Sequence, residues 1–315
     1  MKFHNKRLGR TLALVSLCLL GGVCSIAGLN GPSHIAVVAA AESQLTFATA
    51  EQAGQALYAA ARSQDKEELE RILGPDSKAI LNSGDAGEDR ASLTSFVAKY
   101  DRMNRWSTMM DGSQILYVGA DNYPYPIPLV QNGSSKWNFD TATGKDEILA
   151  RRIGSNELLA IDAISAMGRA EEIYYKHRYG DRNNHRYAML ILSTPGKKDG
   201  LYWTVSNDGP VSPLGRLDEL AKDVVSSTQP GDSPILDGYS FRVLHAQGNK
   251  AEDGAKNYKD FAILATPVRY GDSGIMTFVM NKDGVVYEKD LGSRTVELAN
   301  HMDRYDLDKS WTAVE

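Results

Sequence analysis

Residues 143–175 read TGKDEILARRIGSNELLAIDAISAMGRAEEIYY, the longest stretch of the chain with an unbroken helical pattern. Thr143 followed three residues later by Asp146 marks a helix start, because a hydroxyl and a carboxylate at that spacing satisfy free backbone N–H groups. Leu149, Ile153, Ala160, Ile164 and Met167 recur at steps near three, four and seven and form one apolar stripe. Arg151, Arg152, Glu157, Asp162, Arg169 and Glu172 fall on the other side. Such a helix needs a partner layer for its stripe, and the sequence after it supplies strands.

Residues 187–193 (YAMLILS) and 201–205 (LYWTV) are short apolar runs separated by TPGKKDG, a cluster of turn residues. A short helix is expected at 217–225, followed by strands at 237–247, 260–266, 274–280 and 285–289. The last two are joined by Asn281-Lys282-Asp283-Gly284, a hairpin turn. Short strands at regular spacing predict an antiparallel sheet, and no βαβ pattern is present.

Before the long helix, residues 47–74 predict two helices. Thr49 caps the first and Asp65 the second, with Gly74-Pro75 as the stop. Ala53, Leu57, Ala60 and Ala61 face inward from the first, and Leu69, Ile72 and Leu73 from the second. Residues 83–93 read as a polar loop entering a further helix through Phe96, Val97 and Tyr100. Strand candidates at 114–118 and 137–140 flank NYPYPIPLV at 122–130. Its three alternating prolines cannot donate to a sheet ladder, so the segment is extended, at an edge or on the surface.

The first forty-odd residues have a different purpose. Lys2, Lys6, Arg7 and Arg10 precede the apolar run 11–29, and Ala39-Ala40-Ala41 offers small residues ahead of Glu42. That is the pattern of a secretory signal over residues 1–41. The expected location is periplasmic, with an uncleaved signal anchor as the alternative. Both cysteines, Cys18 and Cys24, lie within the signal, so the mature chain has no disulfide and no thiolate chemistry. From Glu42 onward the chain has 31 basic and 40 acidic residues, a net charge of −9, which argues against nucleic acid or anionic lipid as a partner. No stable membrane span is expected once the signal is removed.

Several passages resemble a bacterial family of secreted proteins catalogued as domain of unknown function 2950. They are GKDEILARRIGSNEL at 144–158, TPGKKDGLYW at 194–203 and YGDSGIMTFVMNKDGVVYEKDLG at 270–292, with YPYPIPLV at 123–130 and GYSFRVLHAQG at 238–248. The resemblance covers about 47–311 and implies export without an assigned activity. The chain is shorter than the family pattern between Gly254 and Phe261. The order of motifs over 145–292 is also similar to the globular part of type IV pilins and pseudopilins: Asn156-Glu157 on a helix, Tyr174-Tyr175, then Gly238, Tyr239 and Phe241 on a strand, and Gly274, Phe278, Asp283 and Gly284. Here about a hundred residues separate the amino-terminal apolar run from the helix, so what that likeness implies is a sheet-on-helix architecture, without filament assembly.

Catalytic patterns are sparse. Gly271-Asp272-Ser273-Gly274 spells the surroundings of a serine-protease nucleophile, but that chemistry needs an activating histidine and an orienting acid. None of His177, His185, His245 and His301 stands in such a context, and a GDSG turn between strands is explained by turn chemistry. His177 and His185 flank a Gly-Asp-Arg-Asn-Asn loop, for which a solvated turn is the preferred reading over a cation site. No phosphate-cradling glycine motif or dinucleotide fingerprint occurs, so no cofactor and no metal is expected. Two surfaces stand out: the aromatic–proline strip, where Tyr123 and Tyr125 are candidate docking residues for another envelope protein and their packing with Ile127 under a loop is the preferred reading, and the helix face with Arg152, Asn156 and Glu157, read first as a structural network.

The expectation is an α+β protein: residues 1–41 a signal, 45–142 an amino-terminal α+β region, and 143–315 a long helix packed on an antiparallel sheet in a pilin-like arrangement. The expected function is that of a non-enzymatic binding or assembly factor of the envelope. The alternative is an envelope hydrolase using the polar face of helix 144–158.

Overall fold

Thr49 and Asp65 start the first two helices as their sequence positions require. The structure, a computed structural model, describes residues 44–179, 185–204, 209–216, 233–245, 260–302 and 307–314. The expected signal, the helix expected at 217–225 and most of the family's loop position near Gly254 lie outside the described residues. Helix α1 (Ala50–Ser63) is capped by Thr49, whose hydroxyl accepts from the Gln52 N–H, and α2 (Lys66–Leu73) by Asp65, which accepts from Glu68. Ala53, Leu57, Ala60, Ala61, Leu69, Ile72 and Leu73 are all buried. A short helix, α3 (Lys78–Leu81), leads to α4 (Ala86–Arg102), which starts earlier than the expected polar loop allows. The reason is Asp85, whose carboxylate accepts from Gly87 and Glu88 and fixes the helix start.

An antiparallel sheet follows, built from β1 (Asn104–Thr108), β2 (Gln114–Val118), β3 (Tyr123–Pro124), β4 (Leu129–Gln131) and β5 (Trp137–Phe139). Its order is β1-β2-β4-β5, with β3 also on β2. Strand β1 has no apolar alternation to announce it. Ile127, Leu129 and Phe139 close the core over α1 and α2.

Helix α5 (Thr141–His177) is 37 residues long, about 55 Å at 1.5 Å per residue. Its cap is Asp140 rather than Thr143: the Asp140 carboxylate accepts from the Thr143 N–H and hydroxyl, so the helix begins two residues before the expected start. Ile153, Ala160, Ile164 and Met167 are buried as the stripe requires, and Leu149 is partly buried. Past it, β6 (Leu190–Leu192) and β7 (Gly200–Tyr202) pair in parallel, against the expectation of antiparallel neighbours. Asp199 explains the reversal, because its carboxylate accepts from both the Thr194 N–H and hydroxyl and loops the chain back to run the same way again.

A six-stranded antiparallel sheet completes the fold, from β8 (Ile235–Leu236), β9 (Tyr239–His245), β10 (Phe261–Pro267), β11 (Met276–Asn281), β12 (Val286–Asp290) and, after the short helix α6 (Thr295–Asn300), β13 (Thr312–Ala313). The order is β13-β12-β11-β10-β9-β8. Every residue of central strand β10 is buried. Phe261, Ile263 and Ala265 pack in one cluster with Ile164, Met167 and Tyr174 of α5, while Ala262 and Leu264 pack on the far face with Ala299. The architecture is α+β. Among the described residues no helix is long and apolar enough to cross a membrane.

Candidate functional site

Arg152, Asn156 and Glu157 lie four and five residues apart, so α5 presents them on one side. They hold a single loop 120 residues away. Arg152 ion-pairs with Asp272, which also pairs with Arg269 at 2.7 Å. The Asn156 amide donates to the Ser273 carbonyl at 2.9 Å. One Glu157 oxygen accepts the backbone N–H groups of Ile275 at 2.9 Å and Met276 at 3.0 Å. The GDSG turn is therefore pinned to the helix. The buried Ser273 hydroxyl accepts from the Arg269 N–H at 3.0 Å and donates to the Arg269 carbonyl at 3.2 Å, so it is a turn clasp with no histidine partner. Gly274 has no side chain because the Tyr239 ring occupies that space: a Cβ there would sit 2.1 Å from the phenol oxygen.

The aromatic–proline segment divides in two. Tyr123 is exposed, with the Lys99 ammonium 4.4 Å and the Arg151 guanidinium 5.1 Å from its ring centre. Arg151 also donates to the Pro124 carbonyl at 2.7 Å. Tyr125, two residues on along the extended segment, faces the same helix α4 and is half-buried, its ring 5.4 Å from Phe96 and 6.3 Å from Phe139. Burial pushes its phenol well above the ordinary value. Both tyrosines line one pocket with Phe96 and Lys99 of α4, Tyr123 exposed and Tyr125 half-buried. Ile127 is buried against Gly144, where a Cβ would come within 2.6 Å of the isoleucine side chain. That contact seats the start of α5 directly on the proline-rich segment.

Between the amino-terminal helices and α5 lies a cavity of about 750 Å³. Leu57, Leu69, Leu93, Phe96, Ile148 and Leu149 give it an apolar lining, joined by Tyr125. Its charged groups are largely committed to each other. Lys66 pairs with Asp89 at 2.9 Å, and Arg152 with Asp272. Asp89 is held down to about 2 by the Ser83 N–H at 3.0 Å and then by Lys66. Lys145, half-buried, makes no ion pair or hydrogen bond among the described residues.

Sequence reasoning reached Arg152 and Tyr125 but not the cavity they help to line, nor Lys66, Asp89 and Lys145. The one available signal was Asp85 with Glu88 three residues on, a helix start that brings Asp89, Leu93 and Phe96 onto one face. Asn156 and Glu157 lie outside the cavity lining. His177 and His185 bond the Ile173 carbonyl at 3.0 Å and the Tyr175 carbonyl at 3.2 Å, and the loop between them lies outside the described residues. Among the described residues no group of three or more His, Cys, Asp and Glu side chains is placed to hold a metal ion.

The fold and its clamped loop define an α+β protein with a mainly apolar cavity beside its central helix. The chain belongs to the family described as protein of unknown function (DUF2950), whose model matches residues 44–314. Neither a curated protein nor a solved structure matches it, so the likeness to pilins rests on the order of motifs alone.

Proposed function

We propose that this chain is an exported protein of the cell envelope that acts by holding a ligand, and that the cavity between α2, α4 and α5 is where the ligand sits. The carrying observation is the cavity: its volume of about 750 Å³ falls within the usual range for small-molecule sites, and its lining is mainly apolar. Export is supported by the basic start, apolar run and small residues of 1–41. A binding role is favoured over hydrolysis because the helix face considered for acid–base work already spends its groups on the 272–276 backbone. An envelope protein that delivers or receives the ligand is the natural partner.

The test is a titration of the full-length chain, purified from the envelope fraction, with the neutral fluorescent probe N-phenyl-1-naphthylamine. Saturable fluorescence enhancement is expected, reduced at least about tenfold in affinity in Leu93→Trp, which fills the cavity, while the far-ultraviolet circular dichroism is unchanged. An absence of enhancement, or equal binding by the filled variant, refutes the site.

A further inference from the structure

The charges around the cavity give its ligand a sign. Resting on the cavity as a ligand site, we infer that it takes a single-chain amphipathic carboxylate, a free fatty acid, with its head at the Lys145 ammonium and the Tyr125 hydroxyl and its tail along Leu93, Phe96 and Leu149. Two partly buried donors in the lining, the Lys145 ammonium and the Tyr125 hydroxyl, lack a partner among the described residues. Lys66 is paired with Asp89, and Arg152 shares Asp272 with Arg269, whereas Lys145 has no carboxylate partner among the described residues. An ammonium on the cavity wall without a counter-ion is satisfied by an entering anion. Lys145 lies just beyond the first turn of α5, near the positive end of the helix dipole, which Asp140 caps with its carboxylate.

The second donor is the Tyr125 hydroxyl, which has no hydrogen-bond partner among the described residues although its ring is fixed between Phe96 and Phe139. Both donors line the same cavity, on the two elements that the Gly144–Ile127 contact seats against each other. Glu88 is the remaining unpaired charge of the lining. It is exposed in the first turn of α4, where the dipole of its own helix stabilises it, and it calls for no cationic ligand. Beyond the two donors the lining is mainly aliphatic and aromatic, which suits an alkyl chain and gives no hydrogen-bonding grid for a sugar or a nucleotide.

The experiment displaces N-phenyl-1-naphthylamine from the full-length chain with three ligands of one chain length: dodecanoate, 1-dodecanol and dodecyltrimethylammonium, below micelle-forming concentrations at neutral pH. Dodecanoate is expected to displace the probe at concentrations about tenfold or more below the other two. Lys145→Gln should remove that preference and leave 1-dodecanol unchanged, Lys145→Arg should restore it, and Tyr125→Phe, which keeps the ring packing, should weaken dodecanoate by about threefold or more. Equal displacement by dodecanoate and 1-dodecanol, a preference for the cation, or a carboxylate preference that survives in Lys145→Gln overturns the head-group assignment while probe binding still upholds the cavity. Failure of the probe itself to bind overturns both. A dodecanoyl phospholipid that displaces the probe as well as free dodecanoate overturns the single-chain assignment.

Discussion

Replacing Glu157 measures what the helix clamp contributes to the fold. One oxygen of this half-buried side chain accepts two backbone N–H groups, at 2.9 and 3.0 Å. Hydrogen bonds to a charged acceptor contribute about 1.5–3 kcal/mol each, and solvent access brings the pair to about 2–3 kcal/mol in total. Glu157→Ala leaves both amides unpaired at the start of β11 and should cost that amount. Glu157→Gln keeps a carbonyl oxygen in place and loses the charge, a cost of about 1 kcal/mol. Arg152→Ala removes an ion pair whose arginine side chain is 52% exposed, and should cost less than about 1 kcal/mol. Urea unfolding gives these differences as shifts in midpoint at constant slope. In Glu157→Ala the Ile275 and Met276 amides should also exchange faster by one to two orders of magnitude than those of β10 (~1.4 kcal/mol per tenfold). The clamp is refuted if Glu157→Ala stays within about 0.5 kcal/mol of the parent, or if Gln is as damaging as Ala.

Three further outcomes follow from the same geometry. Glu171 on α5 is fully buried, with one oxygen accepting from the Ala188 N–H at 2.8 Å and the other unpartnered, and its burial pushes the carboxyl well above the usual range. The folded chain thus keeps a proton that the unfolded chain releases, so this group's stabilising effect is full below the unfolded carboxylate value and declines as pH rises towards the folded one. Thermal melts of Glu171→Gln should show a flatter fall above about pH 5, and an unchanged slope contradicts it. Asp89 acts in the opposite sense: lowered to about 2, it contributes stability above its unfolded value that is lost as pH falls from about 4 to 2, an arm that should be weaker in Asp89→Asn acid titrations. Gly144→Ala should cost about 1–3 kcal/mol of stability, read as a lower urea midpoint, despite alanine's better helix propensity, because its Cβ meets Ile127 at 2.6 Å; a gain in stability would show that the segment yields.

The sequence reveals α5 because its apolar stripe is long and regular, and it reveals β9 to β12 because their residues are β-branched or aromatic and NKDG turns sharply. Its readings falter where a local pattern is overruled by a distant or competing contact. Thr143 looks like a cap, yet Asp140 takes the role because its carboxylate reaches the Thr143 N–H. The run TPGKKDG is a cluster of turn residues that leaves the strand direction open, and the Thr194–Asp199 bonds accompany a parallel pairing of β6 and β7. The Arg152, Asn156 and Glu157 face was visible, but its partners at 272–276 are separated by over a hundred residues and leave no local trace. Tyr123 and Tyr125 share one pocket, and the second is the more buried because it finds Phe96 and Phe139 to pack on. The cavity is invisible for the same reason: its walls come from α1 to α5, and no window of the sequence contains them together.

Photo-crosslinking with a neutral alkyl diazirine, followed by mass-spectrometric mapping of the labelled peptides, tests the cavity most directly. The account predicts saturable labelling of the peptides containing Leu93, Phe96 and Leu149, lost in Leu93→Trp. Labelling confined to the exposed Leu158–Leu159 side of α5, or none that saturates, would contradict it.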